Sequence, residues 1–566
     1  MSEVKQILAK AKGHNGPIDF EIELDQGKLT DVKIKQHSET PAIFNQVFGK
    51  LRENILDEQS FEIDVVSGAT VMSNAILNSG KQAVQEAGIQ LDKPAKKSYK
   101  TYKGQVDVVV IGGGEAGLVA ACRALSLGKR VALIEKNGYL GGATILNGSN
   151  VTATGSQVAQ EIFGNNGDSP DLLAADVARE CLDTNTIEMT QIMAQNIGDA
   201  IDFISNFANL KYQKAQTQTP EHSVQRQIEL PTASSYELIT KVAAAFEKKG
   251  GKIFLDSRVE EMLYDEAKKP IGLIAKGQNH QVIVYADAFV LASGGYGANE
   301  KMRGQESQGI NYYGPMTSTG DAFEFLSDLD LKTQNLDWYK VYPHGVQTQP
   351  GRAKLTTYAS KKATDMGAIY VNKLGQRIVN ESDVYAKLRN EVLKQPEKIA
   401  YLLLDEKMWH EFYALLVKHD FAEDEIAKYF ALADKQPPLF VKGSLAEVAT
   451  KAGIEPNALK ETLERYNGFA KAGEDQEFGR AKEMLHAYEG DVFYLVEQRD
   501  RFATTLGGFS ARTDLRLQTK AGHKIANLYG AGEVVGGANG HDSMPSMMNT
   551  WGIASGYVAG TNAAKY

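Results

Sequence analysis

The alternation of apolar and polar positions along the chain is interrupted at 106–111 by a run that is apolar at almost every position. This pattern predicts a strand that is buried on both faces of a parallel sheet. A G-x-G-x-x-G turn follows over 112–117, and 118–127 then has the composition of a helix. A second short strand, 130–134, is followed by Glu135. The order and spacing of these elements predict a dinucleotide-binding unit.

The N-terminal residues have a pattern of their own. Residues 18–34 alternate with a period of two on both sides of a glycine, which predicts a hairpin. Helical periodicity follows over 42–56 and 72–87, so 1–92 is expected to form a small α+β unit. The polar, lysine-rich stretch 93–104 has the composition of a linker.

Five later segments predict further strands beside the dinucleotide unit. Residues 254–262, 271–275 and 282–284 have the pattern of a small sheet. Residues 289–297 are a second buried strand that ends in glycines, and 527–537 repeat this pattern near the C-terminus.

Composition and charge narrow the functional classes. A chain of 566 residues is too long for one core and suggests three or four domains. A net charge of −9 argues against nucleic acid or an anionic membrane as a partner. With only Cys122 and Cys181, no disulfide framework, metal site, haem attachment or iron–sulfur cluster is predicted. No segment resembles a signal peptide or a membrane span, so a cytoplasmic location is expected.

A short motif in the N-terminal unit indicates covalent chemistry. Residues 64–70 read Asp-Val-Val-Ser-Gly-Ala-Thr and resemble the attachment signature of the covalent FMN-binding domain. The resemblance implies that a flavin transferase joins FMN to Thr70 by a phosphoester, with Asp64, Ser67 and Gly68 beside it. A threonine that opens a helix places its phosphate against free backbone N–H groups, which is compatible with this role. The alternative is a plain capped helix after a Ser-Gly turn.

Three glycine-rich segments, 138–144, 289–297 and 527–537, resemble the FAD-binding segments of the succinate dehydrogenase/fumarate reductase flavoprotein family. The likeness extends over essentially the whole chain and implies FAD rather than NAD. It implies an α/β fold with a Rossmann-like FAD domain, an inserted α+β capping (clamp) domain and a preceding α+β FMN-binding domain. The expected boundaries are 1–92 for the FMN-binding domain, 93–104 for the linker, 105–336 and 505–566 for the FAD-binding domain, and 337–504 for the capping domain.

The residues expected to hold FAD lie at strand ends and in the glycine-rich turns. Their glycines allow a tight turn and close approach to a pyrophosphate, while Glu135 is placed to meet a ribose hydroxyl. They are Gly112, Gly114, Glu115, Ala116, Gly117, Glu135, Lys136, Gly141, Gly142, Ala143, Thr144, Asn147, Gly148, Val259, Ala292, Ser293, Gly294, Gly532, Glu533, Met547 and Met548.

The chain departs from this family at the positions that hold the substrate. Soluble fumarate reductases use two histidines, a threonine–glutamate pair and several arginines. Here the His-Pro-Thr element reads Tyr342-Pro-His, and the Thr-Glu pair aligns with Ser360 and Lys361. Thr504 or Thr505 takes the place of the second histidine, and Ser543 that of the C-terminal arginine.

The remaining candidates suggest a different set of catalytic residues. Tyr385 follows the Asn-Glu pair where the arginine acid is expected, so it is the first choice of proton donor. Arg389, one helical turn later, would stabilise the phenolate or itself donate the proton. Lys361 and His541 are the candidates for holding a substrate carboxylate, beside Tyr342.

These substitutions favour a substrate with one carboxylate. Loss of a cationic side chain that binds one of the two carboxylates would weaken the binding of a dicarboxylate by several kcal/mol. The favoured substrate is therefore a 2-enoate with an apolar remainder, such as a hydroxycinnamate. Candidate contacts for its ring are Trp338, Tyr339, Tyr342, Tyr358, Tyr385, Met544 and Met547.

The expected function is that of a fumarate reductase/urocanate reductase-like enzyme, closest to a cinnamate-type 2-enoate reductase. Hydride would come from FAD, and covalent FMN would relay electrons from an NAD(P)H:flavin reductase or reduced flavin. The alternatives are a fumarate or urocanate reductase, a ketosteroid-type flavin dehydrogenase and a non-catalytic flavin carrier.

Overall fold

The computed structural model describes residues 4–14, 16–91, 99–216, 219–349, 352–419, 421–433, 435 and 437–566. Strands and helices occur together along these residues, as the predicted α/β class requires. In chain order they are β1 (Val4–Lys12), β2 (Pro17–Asp25), β3 (Lys28–His37), α1 (Pro41–Glu58), α2 (Thr70–Glu86), β4 (Lys100–Ile111), α3 (Glu115–Ser126), β5 (Val131–Ile134), β6 (Val151–Thr152), α4 (Gln157–Phe163), α5 (Pro170–Glu180), α6 (Ile187–Ala208), β7 (Gln213–Lys214), β8 (Gln227–Glu229), α7 (Ser235–Lys248), β9 (Lys252–Phe254), β10 (Arg258–Tyr264), β11 (Pro270–Lys276), β12 (His280–Leu291), β13 (Asn311–Tyr312), α8 (Asp321–Phe325), β14 (Thr333–Gln334), β15 (Tyr339–Tyr342), β16 (Val346–Gln349), β17 (Arg352–Lys354), α9 (Thr357–Asp365), β18 (Ile369–Val371), α10 (Tyr385–Leu393), β19 (Ile399–Asp405), α11 (Glu406–Lys418), α12 (Glu423–Ala431), β20 (Phe440–Gly443), α13 (Leu445–Ala452), α14 (Pro456–Ala472), β21 (Phe493–Arg499), β22 (Arg501–Thr505), β23 (Gly508–Phe509), β24 (Arg516–Gln518), β25 (Lys524–Gly530) and α15 (Met547–Lys565).

An eight-stranded sheet forms the centre of the predicted dinucleotide unit. Its main order is β10-β11-β12-β4-β5-β9, and β25 pairs with the second half of β12. β4 is parallel to β12 and β5, and β5 is parallel to β9. The carboxyl ends of these strands therefore meet at one edge, which is where open α/β sheets bind ligands.

β12 and β4 are longer than the apolar pattern indicated. The separate strands expected at 282–284 and 289–297 form one strand, His280–Leu291. Its first half alternates between buried and more exposed residues, while 288–291 are all buried. β4 pairs with β12 from Lys100 onwards, so 100–104 are strand rather than linker. Polar side chains did not prevent this because pairing uses the backbone; the rest of the expected linker, 93–98, lies outside the described residues.

The helix α15 closes the central unit by packing on α3. Gly552, Gly556 and Gly560 form the contact face, four residues apart. A Cβ at Gly556 or Gly560 would lie 2.4 Å from the carbonyl oxygen of Ala116 or Ala120. The glycines thus allow a close approach of the two helix backbones that larger residues would prevent.

A second hydrophobic core lies within the predicted capping domain. The antiparallel sheet β18-β19-β21-β20 forms its centre. Beside it, Arg377 contacts Glu381 and Asp475, and Arg480 contacts Glu381, all with fully buried side chains. Buried charges are tolerated in proteins when they are paired in this way.

The N-terminal unit has the predicted hairpin and helices around a core of its own. β1, β2 and β3 form an antiparallel sheet, against which α1 and α2 pack. Tyr139 of the dinucleotide unit belongs to the same core. The Gln46 side chain donates to the Leu140 carbonyl at 3.2 Å, so the two units are in contact. The domain boundaries themselves stay predictions.

Among the described residues, no helix has the length and apolar character that crossing a membrane requires. The same residues contain no group of three or more His, Cys, Asp and Glu side chains arranged to hold a metal ion.

Candidate active site

A cavity of about 400 Å³ lies at the carboxyl edge of the central sheet. Residues of the predicted FAD-binding and capping domains both line it. We call the part beside the glycine turn 112–116 and Glu135 the nucleotide end. The other part is the aromatic end, whose walls include Tyr313, Tyr342, Tyr358 and Tyr385.

The three glycines of the turn have different structural roles. A Cβ at Gly112 would lie 2.2 Å from the Ala292 carbonyl oxygen, and one at Gly117 would lie 1.9 Å from the Gly112 carbonyl oxygen. The nearest protein atom to a Cβ at Gly114 would be 3.8 Å away. Gly112 and Gly117 are thus required by packing, while Gly114 borders open space, as the predicted approach to a pyrophosphate requires.

Glu135 lies in the cavity wall at the end of β5. One carboxylate oxygen accepts the Gly113 N–H and the other accepts the Asn137 N–H, each at 2.7 Å. Burial raises the pKa of Glu135, although these donors oppose the shift. Each oxygen retains a second lone pair, so the carboxylate can still accept a ribose hydroxyl as predicted.

Further polar side chains of the nucleotide end are paired with one another. Asp321 Oδ2 is 3.1 Å from both Lys136 Nζ and Arg258 Nε. Burial alone would raise the pKa of Asp321, but these two cations lower it to about 2.

Most of the residues expected to hold FAD line this cavity. Besides Glu135 and Lys136 they are Gly112, Gly114, Glu115, Ala116, Gly142, Ala143, Thr144, Asn147, Gly148, Val259, Ala292, Ser293, Gly294, Gly532, Glu533 and Met548. Gly117 and Gly141 are not in the wall; the Gly141 N–H donates to the Gly113 carbonyl at 2.9 Å and supports the turn. Met547, expected as a flavin contact, is instead buried in the core of the central unit, as is Met544.

The aromatic end brings together side chains from distant parts of the chain. The Tyr385 ring centroid is 6.5 Å from that of Tyr342 and 4.9 Å from that of His344. Tyr358 stacks on His419 at 4.2 Å. Burial raises the pKa values of Tyr342, Tyr358 and Tyr385, so these phenols remain protonated near neutral pH.

Lys361 and Arg389 were both expected to act at the substrate site, but only Lys361 lines the cavity. Lys361 lines the cavity, where it also forms an ion pair with Asp365. Arg389 does not line it; Arg389 Nη1 contacts Asp542 Oδ2 at 2.6 Å. Lys340 Nζ holds the other oxygen of Asp542 at 2.7 Å. Arg389 is therefore committed to a neighbouring carboxylate instead of the Tyr385 phenol.

His541, the other candidate for holding a carboxylate, is not brought to the cavity. Its Nε2 lies 2.8 Å from Glu306 Oε2, and its ring packs edge-on against Trp338. The side chain is 43% exposed. Tyr339 is also elsewhere, in a small core with Phe502. His541 follows the glycine-rich segment 527–537, but its contacts with Glu306 and Trp338 hold it away from the cavity.

Sequence reasoning missed several residues beside the aromatic end. Tyr313, Thr219 and His419 line the cavity, and Glu221 lies just behind it. Glu221 Oε1 accepts the backbone N–H of Tyr385 at 2.9 Å. None of these residues belongs to a recognisable motif, so the sequence contains no signal that could have identified them.

The predicted FMN-attachment residues lie together at the start of α2. Thr70 is the first residue of the helix and is exposed. Asp64 accepts from Asn279 and the Ser67 hydroxyl donates to Asp256, both across to the dinucleotide unit. A Cβ at Gly68 would lie 2.5 Å from Asn137 Oδ1, so glycine permits this contact. An exposed hydroxyl at a helix N-terminus fits a phosphoester.

Known proteins resemble both parts of the chain. Residues 107–547 match the family model described as FAD binding domain, and 13–85 match FMN-binding domain. The chain is 26% identical to urocanate reductase of Eggerthella lenta, over 98% of this chain and 91% of that protein. It is 25% identical to NADH:acrylate oxidoreductase of Vibrio harveyi over 99% of this chain, which spans 61% of that protein's length. The open conformation of a flavocytochrome c3 fumarate reductase has a TM-score of 0.66 at 23% identity, covering 86% of this chain and 81% of that one, which indicates the shared fold.

Proposed function

Because the chain belongs to the FAD binding domain family and also contains an FMN-binding domain, we propose that it is a flavin-dependent reductase of the activated double bond of a 2-enoate. Bound FAD, once reduced, supplies hydride to the β-carbon of such a substrate. The nucleotide end of the cavity is suited to hold FAD, through the turn at 112–117 and Glu135. The relatives named above are urocanate and acrylate reductases, which supports this class of reaction.

The observation that carries the proposal is that one cavity extends from the nucleotide end to the aromatic end. Four tyrosine phenols and Lys361 lie in the wall there. The Lys361 ammonium has three N–H donors, so it can hold one substrate carboxylate while it is paired with Asp365, and the aromatic rings can contact the rest of the substrate. Thr504 also lines this part of the cavity and carries no charge. A monocarboxylate with an aryl group, such as a hydroxycinnamate, fits these features better than a dicarboxylate.

Tyr385 is the proposed proton donor to the α-carbon. Its position in the cavity wall supports this role. Burial raises the pKa of its phenol, so the proton is present near neutral pH. Arg389 is the weaker candidate because Asp542 holds its guanidinium. Tyr342 lies beside Tyr385 and is proposed to contact the substrate.

The experiment is to reduce the flavins anaerobically and to measure which acid reoxidises them. We expect kcat/KM for a cinnamate to exceed that for fumarate by about thirtyfold, because burial of a ring contributes on the order of 2–3 kcal/mol. Acrylate and urocanate are the matched comparisons, since they carry one carboxylate each. A clear preference for fumarate would contradict the monocarboxylate assignment, and a preference for urocanate would move the proposal to that alternative. Reoxidation by none of these acids would contradict the enoate class and favour a ketosteroid-type dehydrogenase or a flavin carrier.

The FMN-binding domain is proposed to relay electrons from a separate NAD(P)H:flavin reductase or from reduced flavin. A flavin transferase would join FMN to Thr70. In protein produced with such a transferase, Thr70→Ala should abolish flavin fluorescence on a denaturing gel, while Ser73→Ala, on the next turn of α2, should retain it. The FAD content of both variants should be unchanged because FAD lies in another unit. Fluorescence that persists in Thr70→Ala would contradict the attachment site. A cytoplasmic location stays a prediction from the sequence.

A further inference from the structure

Arg501 on β22 is a fully buried cation that the proposed reaction has not used. It lies directly opposite Tyr342 of β15, and residues paired in this way have side chains on the same face of the sheet. Phe502, the next residue, packs on the other face in a small core with Tyr312 of β13. Because successive strand residues point to opposite faces, Arg501 shares its face with Tyr342 and with Tyr313, which follows β13. Both of these tyrosines line the cavity.

The guanidinium of Arg501 has two unpaired donors. Arg501 does not line the cavity itself, so it lies behind this part of the wall. Gly345 makes room for it, because a Cβ there would lie 2.6 Å from Arg501 Nε. Nη1 donates to the carbonyl oxygens of Arg499 and Asp500. Nε and Nη2 are shielded from solvent and have no hydrogen-bond partner among the described residues.

The acidic groups near Arg501 do not neutralise its charge. Glu497 already pairs with Arg499 at 2.6 Å. Burial raises the pKa of Asp500 well above its usual range, which favours its neutral form. Burial lowers the pKa of His344 to about 3, so this imidazole is neutral near pH 7. Burial also lowers the pKa of Arg501, to about 9, and the guanidinium therefore remains charged.

Three other cations of this region differ from Arg501 because each contacts a carboxylate. They are Lys361, which contacts Asp365, and Lys340 and Arg389, which both contact Asp542. In a low-dielectric interior a charge acts over several ångströms, so Arg501 does not have to touch an anion in the cavity to attract it.

We propose that Arg501 makes the aromatic end select a substrate with a negative charge, because it places an unpaired buried cation behind the wall at Tyr313 and Tyr342. This inference rests on the proposed function and names a residue that determines its substrate class. Arg501 acts through its charge. The hydroxyl groups of the two tyrosines can donate to the carboxylate that this charge attracts.

The first test measures binding to the oxidised holoenzyme by calorimetry. The probes are 3-phenylpropanoate, which has no double bond to reduce, and its uncharged amide. Arg501→Met removes the charge and retains an unbranched side chain, whereas Arg501→Lys retains the charge. Arg501→Met should weaken binding of the carboxylate about tenfold or more and that of the amide less than about twofold. Arg501→Lys should stay within about threefold of wild type for both probes.

Equal losses for the two probes in Arg501→Met would show that Arg501 only supports the wall, and would overturn the proposal. A loss of carboxylate binding in Arg501→Lys as large as in Arg501→Met would also overturn it, as would a wild type that does not prefer the carboxylate or binds neither probe. Enoate turnover with an unchanged carboxylate preference in Arg501→Met would reject this inference and leave the proposed function standing. Binding of the acid that depends on Arg501, without turnover of any enoate, would retain the anion site and place the failure in the proposed reaction.

The second test compares thermal unfolding of the oxidised holoenzyme without added acid. Removal of one partner of a buried ion pair leaves an unpaired charge, whereas removal of a cation that is already unpaired does not. Arg226 is the matched control, because it is also fully buried but contacts Asp168 at 2.9 Å and Asp176 at 2.6 Å. The melting temperature should change little in Arg501→Met and fall by several degrees in Arg226→Met. An equal fall in both variants would contradict the unpaired charge on which the proposal depends.

Discussion

The two ends of the cavity use different parts of the polypeptide. At the nucleotide end, glycines and backbone N–H groups shape the wall, and the carboxylates of Glu135 and Asp321 have partners within the protein. At the aromatic end, side chains from several segments form the wall, and Thr219 Oγ1 and Thr357 Oγ1 have no partner among the described residues. These carboxylates of the nucleotide end are thus paired within the protein, whereas the aromatic end presents unpaired hydroxyl groups to a ligand.

The fold therefore determines the nucleotide end, whereas the side chains of the aromatic end can differ from one chain to another. Backbone groups can bind a cofactor through many sequences, provided that the glycines are retained. Side chains at the other end can be exchanged without disturbing the central sheet. The replacements predicted from the family pattern, Tyr342 for a histidine, Lys361 for a glutamate and Tyr385 for an arginine, are of this kind.

The largest expected effect separates the roles of two glycines at the nucleotide end. Gly117→Ala would place a Cβ 1.9 Å from the Gly112 carbonyl oxygen, which should cost about 3 kcal/mol or more of stability and abolish FAD binding. Gly114→Ala adds the same methyl group where the nearest protein atom is 3.8 Å away. It should leave the apoprotein melting temperature unchanged while weakening FAD binding at least tenfold. Calorimetry and flavin titration measure both quantities; equal losses of apoprotein stability would contradict the distinction.

The next prediction concerns the aromatic end. Tyr385→Phe should lower kcat about a hundredfold with little change in KM, because it removes a proton and leaves the ring in place. Tyr370→Phe is the matched control, since Tyr370 is also buried in the same unit but does not line the cavity. Its kcat should stay within about twofold of wild type. An effect of Tyr385→Phe on KM alone would indicate that this residue binds substrate and does not donate the proton.

The smallest expected effect is the pH dependence of the paired charges at the nucleotide end. Lys136 and Arg258 lower the pKa of Asp321 from 3.8 to about 2, against the effect of burial. A carboxyl group whose pKa is lower in the folded than in the unfolded state stabilises the fold at pH values above its unfolded pKa. This contribution is lost as the pH falls towards 2. With Arg258 half exposed, Asp321→Asn should cost about 1–2 kcal/mol at pH 6 and about half as much at pH 3. A difference in unfolding free energy that grows on acidification would contradict the assignment.

The nucleotide end could be predicted from the sequence because its requirements are local. The roles of Gly112, Gly114 and Gly117 depend on neighbours within a few residues and on one adjacent strand. The aromatic end depends on contacts between segments far apart in sequence. Tyr342 and Tyr385 were identified only through alignment with a family, and Glu221 could not be identified at all.

The wrong predictions have the same cause, because they also depend on contacts between segments that are far apart in sequence. Arg389 and His541 were expected to meet a substrate, but Asp542 and Glu306 hold them. A sequence shows that a charge is present, but it does not show which opposite charge lies nearby in the fold. Residues 100–104 joined β4 for a related reason, since strand pairing depends on the partner strand and not on local polarity.

The position of α15 has a consequence for the order in which the protein matures. β4 and α3 are made early, but the face of α3 that packs on α15 stays uncovered until α15, which begins at Met547, has been made. At roughly 5–20 residues per second, the ribosome takes on the order of half a minute or longer to make the intervening chain. The N-terminal unit has its own core and can fold during this interval. Thr70 would then be available for modification well before the FAD site is complete, so FMN attachment does not have to wait for FAD binding.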